Sequence, residues 1–118
     1  MLNREDILKL ADEIKVEKVD IGNNKSMYLK EMTGTERDNY EQSLMKFNNN
    51  NKVTMTMENA RAKLLVIVIS DEEGKRLFKD ADVAAVGKLP ARIIDISFNK
   101  AQRMNGITKD DIEELVKN

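Results

Sequence analysis

A chain of 118 residues with two Tyr, three Phe and no Trp must fill its interior with Leu, Ile, Val and Met. That palette suits helix packing better than a sandwich of aromatic-rich strands. Apolar residues make up 41 % of the chain, a share that supports a packed core. The length allows one such core and not two, so residues 1–118 are expected to form a single domain.

The order of capping, alternation and turn signals predicts the elements. Asn3 reads as the N-cap of a first helix with Asp6 in its first turn. Ile7, Leu10, Ala11 and Ile14 then return to one face. Residues 16–21 and 26–32 alternate weakly around Gly22, Asn23 and Asn24, which tolerate positive φ, so an N-terminal β-hairpin is expected. Thr33 with Glu36, or Thr35 with Asp38, can open a helix whose apolar face is Tyr40, Leu44 and Phe47. The four Asn at 48–51 end it in a solvated loop. A second long helix is expected from near Thr54 or Thr56 to about Val68, with Met57, Ala60, Leu64 and Ile67 or Val68 inside. The apolar, β-branched run at 64–70 also fits a strand. Asp71, Glu72, Glu73 and Gly74 form a tight turn, which allows a second short hairpin near residues 68–78 with 75–78 returning. Asp80 then caps a short helix carrying Val83 and Val86 and ended by Gly87. Pro90 opens a helix that buries Ile93, Ile94, Phe98, Ala101 and Met104 and stops at Gly106. Thr108, with Asp111 three residues on, caps a final helix docked by Ile112, Leu115 and Val116. The fold class expected is α+β: a small, mostly helical domain with an N-terminal β-hairpin.

Two absences narrow the chemistry. The chain has no His and no Cys. It therefore has no Ser–His or Cys–His pair, no zinc finger, no thiol chemistry and no disulfide. Acid/base work by Asp, Glu, Lys or Tyr, oxygen-ligated ions, or binding alone remain. Formal charge is −1 and evenly spread: residues 1–52 hold 9 basic and 10 acidic side chains, residues 53–118 hold 11 of each. Nucleic-acid binders show a basic stripe, and here the densest basic cluster, Lys75, Arg76 and Lys79, follows three acids. No nucleic-acid partner is expected. The longest apolar run, 64–69, is far short of a membrane span, and residues 1–10 lack a signal-type apolar segment. A cytoplasmic protein without a membrane partner is the expectation.

Weighed singly, the candidate sites are weak. Asp71, Glu72, Glu73, Asp80 and Asp82 miss the calcium-loop spacing, because Gly falls at the fourth position instead of the sixth. Glu58 and Asp95 are carboxylates on helices with nothing to align them across a cleft. The five glycines are scattered at turns and helix ends, so no phosphate-cradling loop exists. No catalytic residue, metal ligand or cofactor is assigned, and the expected class is not an enzyme. The seven Met are the exception, since Met is over-used on surfaces that take varied apolar partners. Met45, Phe47, Met55 and Met57 flank the Asn loop and are the candidate partner-binding residues; ordinary core filling is the competing explanation.

Four segments carry a resemblance. They are residues 32–41 (MTGTERDNYE), 59–66 (NARAKLLV), 71–87 (DEEGKRLFKDADVAAVG) and 101–115 (AQRMNGITKDDIEEL). In order and spacing they resemble the tail assembly chaperones of long-tailed bacteriophages and prophages. The Asn loop has no counterpart in that pattern. The resemblance implies a non-catalytic protein of the host bacterial cytoplasm, absent from the mature virion. It implies that the chain binds the long helical tape measure protein, keeps it soluble and recruits tail tube protein. Homo-oligomerisation stays open. The alternatives are a structural tail or prophage accessory component and, against the charge balance, a small DNA-binding module built from residues 80–116.

Overall fold

Two asparagines fix the register of the first sheet. Asn23 and Asn24 both adopt left-handed backbone (φ 54° and 59°), the pairing a two-residue hairpin turn of primed type requires. They join β1 (Val16–Gly22) to β2 (Lys25–Lys30), antiparallel from Val16 opposite Lys30 to Asp20 opposite Ser26. A bulge between Asp20 and Gly22 precedes the turn, and the Asp20 carboxylate accepts from the Gly22 N–H at 2.8 Å. The computed structural model describes residues 1–47, 49–50 and 52–107. The predicted cap at Thr108 and the helix after it lie outside those residues.

The strands follow α1 (Arg4–Lys9) and a 3-10 turn (Leu10–Glu13). As expected, Asn3 caps α1, in a reciprocal box with Asp6. After β2 comes α2 (Gly34–Ser43), opened by the Thr33–Glu36 box and not by Thr35. Glu36 also receives the buried Lys30 ammonium, so one carboxylate joins the end of the sheet to the start of the helix. Tyr40 and Leu44 are buried as predicted, but α2 stops at Ser43 and Phe47 is not on it.

The chain from Met45 corrects the sequence reading. β3 (Met45–Phe47) and β4 (Val53–Met55) form a second antiparallel hairpin around the Asn run. The predicted helix start near Thr54 or Thr56 is therefore wrong. α3 spans Ala60–Val68, entered through Asn59 in left-handed conformation (φ 56°). Thr and Val at 53–54 favour extended backbone, and pairing with β3 decides the contest. The C-terminal limit at Val68 is as expected.

Helix α3 is the centre of the molecule. Ala60, Ala62 and every residue from Leu64 to Val68 are buried, so only Arg61 and Lys63 of the helix reach solvent. It packs against α2, α4 (Val83–Gly87) and α5 (Ala91–Asn105). Its end runs into β5 (Ile69–Ser70), which pairs antiparallel with β2 to complete the sheet order β1-β2-β5. The second short hairpin near residues 68–78 is only partly formed. Asp71 and Gly74 make the turn, but the return is a single bridge from Arg76 to Ser70. Arg76 instead spends its guanidinium on the Val66 carbonyl at the end of α3 (3.0 Å) and on Asp80 (2.9 Å).

That engagement explains a smaller correction. Asp80 does not cap the short helix: Asp82 stands at its N-cap position without a side-chain cap bond, and its carboxylate instead accepts from the Lys79 N–H at 2.8 Å, closing the 3-10 turn Asp80–Asp82. Pro90 sits at the N-cap position of α5, one residue earlier than a first-turn proline. Ala101 is fully buried, while Ile94, Phe98 and Met104 pack on the core with partial exposure. Gly106 ends α5 in left-handed backbone (φ 63°), and Ile107 donates back to the Gln102 carbonyl at 3.0 Å. The result is an α+β domain of five helices and five short strands in two sheets among the described residues.

Candidate functional site

Leu44 anchors the second hairpin. It is buried at the end of α2, and its carbonyl accepts from the Thr56 N–H at 2.7 Å, closing the base of the ladder. From that base the strands run outward with Met45 opposite Met55 and Phe47 opposite Val53. Directly opposed residues share a face and side chains two apart return to it. The hairpin therefore gathers Met45, Phe47, Val53 and Met55 on one side and puts Lys46 and Thr54 on the other.

Burial grades along this face. Met55 packs against the core and Met45 and Val53 are half-buried, whereas Phe47 is 72 % exposed. A large aromatic side chain held out at the end of a supported hairpin is an unpartnered apolar contact. The structure thus brings together three of the four predicted residues. Met57 stands apart. It is 61 % exposed and lines an open cleft of about 350 Å³ with Ala60, Ala62, Ala91 and Ile94. Val53 was missed in the sequence. The signal was present as apolar alternation at 45, 47, 53 and 55, but it was split by the Asn run.

The acidic candidates have structural duties. The Asp71 carboxylate accepts from the N–H groups of Glu73 and Lys75, both at 2.9 Å. Asp80 pairs with Arg76, and Asp82 holds the Lys79 N–H. Asp95 pairs with Arg61 at 3.1 Å, and the same guanidinium lies 5.8 Å from the centre of the Phe98 ring. Among the described residues, no group of three or more carboxylates is placed to hold a metal ion. No helix among them is long and apolar enough to cross a membrane. Among the described residues, Tyr40 is the titratable group most displaced: burial, with the Glu41 carboxylate adding to it, pushes its phenol up to about 12. It lies under the hairpin's anchor on α2 and reports core packing.

A second apolar surface lies at the N-terminus. Ile7, Leu8 and Leu10 are 53, 57 and 44 % exposed, and no residue of α1 is buried. The face predicted from Ile7, Leu10, Ala11 and Ile14 exists, but only Ile14 is partly covered. No family model, curated protein or solved structure matches the chain.

Proposed function

We propose that this protein is a non-catalytic tail assembly chaperone of a long-tailed phage or prophage, and that it holds the tape measure protein until the tail tube forms around it. The observation that carries this reading is the hairpin face of Met45, Phe47, Val53 and Met55, with Phe47 held out in solvent. An extended helical client exposes apolar heptads until assembly covers them. Met and Phe on a short hairpin supply an adaptable apolar contact for such a client, and the exposed Met57 at a separate open cleft is a second one. The order of the four resembling segments supports this reading, and an almost neutral charge suits reversible cover instead of steering to nucleic acid. Tail tube protein is the second partner of this reading.

Affinity capture from infected or induced cells tests it. The tape measure protein should be retained by the wild-type chain and lost from a Phe47→Glu, Met57→Glu variant. Mass spectrometry of purified particles should find the chain absent. Stoichiometric incorporation into particles would favour the alternative, a structural tail or prophage accessory component.

A further inference from the structure

Tyr40 is 2 % exposed, yet among the described residues its phenol has no hydrogen-bond partner. The side-chain bond at this residue runs elsewhere, from the Ser43 hydroxyl to the Tyr40 main-chain carbonyl at 2.5 Å. A hydroxyl taken out of water without a partner is costly. Among the described residues, no fully covered side-chain nitrogen or oxygen lacks a partner. The phenolic oxygen therefore lies at the small part of Tyr40 that stays open. Tyr40 lines a cavity of about 250 Å³ where α2, α3 and the start of α4 meet. Val66 and Ile67 of α3 and Val83 of α4 give it an apolar lining, the first two of them buried. Polar groups stand at its rim. Lys63 is one turn before Ile67, and its ammonium donates to the Ser43 carbonyl at 2.9 Å, which leaves two of its three protons. Asp80 is paired with Arg76, so its charge is balanced. Among the described residues Lys63 has no carboxylate partner, and the rim carries its positive charge.

We infer that this cavity is a binding site for a small monocarboxylic acid with a compact apolar body. The body lies on Val66, Ile67 and Val83, and the carboxylate accepts from the Tyr40 phenol and the Lys63 ammonium. A cavity of about 250 Å³ equals the liquid volume of about eight waters, which suits roughly ten non-hydrogen atoms and excludes a long acyl chain. Burial holds the phenol neutral, with its pKa pushed up to about 12, so it stays a donor. A cationic ligand would meet the Lys63 ammonium. A phosphate ester would call for a second cation, and Arg76 is committed to Asp80 and to the Val66 carbonyl. The site uses neither the hairpin face nor a protein client, so it stands or falls apart from the chaperone reading.

The test titrates the full chain with 3-phenylpropionate, with the matched amide and with acetate, followed by two-dimensional NMR. 3-Phenylpropionate should bind saturably with a Kd of about 1 mM or tighter, and should shift the amide signals around Tyr40, Lys63 and Val83 most. The amide lacks the charge and acetate lacks the body, so each should bind at least about tenfold more weakly. Tyr40→Phe keeps the ring and removes the donor, and should weaken the acid about tenfold. Lys63→Met keeps most of the stem and removes the charge, and should bring acid and amide to similar affinity. Because Lys63 reaches solvent, its thermal midpoint should stay within about 4 °C of wild type, which keeps a folded variant in hand should Tyr40→Phe unfold. No saturable binding up to about 20 mM acid overturns the inference. So do equal affinities for acid and amide in the wild type, acid binding unchanged in Lys63→Met, or shifts confined to the Met57 cleft.

Discussion

Glu36 does the work of two residues. Its side chain accepts from the Thr33 N–H at 2.9 Å, closing the capping box of α2, and also receives the Lys30 ammonium. Lys30 is 5 % exposed, so its charge depends on that partner and on the Glu31 carbonyl at 3.2 Å. Removing one member of a buried pair leaves the other desolvated and uncompensated. Glu36→Ala should therefore destabilise the fold by about 3 kcal/mol in urea titration. Lys30→Met on top of it should recover a good part of that loss. Tyr40 gives a pH signature of the same core. Its phenol titrates near 10 when unfolded and at about 12 when folded, so the fold favours the neutral form. The associated stability is complete below pH about 10 and lost as pH rises towards 12, by ~2–3 kcal/mol in the limit. Comparing wild type with Tyr40→Phe isolates it: the unfolding midpoint of the wild type should fall more steeply between those pH values.

Elements with a complete local signal were legible in the sequence. Asn3 with Asp6 and Thr33 with Glu36 form the boxes their spacing predicts, and Gly22, Asn23 and Asn24 make the predicted turn. α5 stops at Gly106 for the same reason. Elements that depend on distant pairing were not. β3 and β4 are three residues each, too short for alternation to outweigh the helical period running through Tyr40, Leu44 and Phe47. β5 is two residues at the end of a helix, and only β2 makes it a strand. The candidate site was found as composition, Met and Phe near the Asn run, while its geometry as one hairpin face was not. That geometry changes how the site should be probed. Met55 supports the core, so Met55→Glu should destabilise the domain by about 2 kcal/mol or more. Phe47→Glu should change stability by less than about 0.5 kcal/mol, because the side chain is already in water. Chemical unfolding of the two variants checks the contrast, and only the second is a clean probe of partner binding.

At the scale of the whole molecule, a core built around α3 carries two open apolar surfaces, the second hairpin and α1. Large apolar side chains exposed together on a small protein mark interaction sites. The buried run from Leu64 to Val68 forms the centre of the core, and the hairpin joins that core through Leu44 and Met55. A packed body with adaptable Met and Phe at its edge is suited to hold a partner. In the proposed function, this body keeps an unassembled helical client in solution. The most direct measurement is the soluble fraction of a phage tape measure protein when expressed alone, with the wild-type chain, and with the Phe47→Glu, Met57→Glu variant. The soluble fraction should rise several-fold with the wild type and little with the variant. A client whose solubility is the same in all three cases would contradict the proposed function.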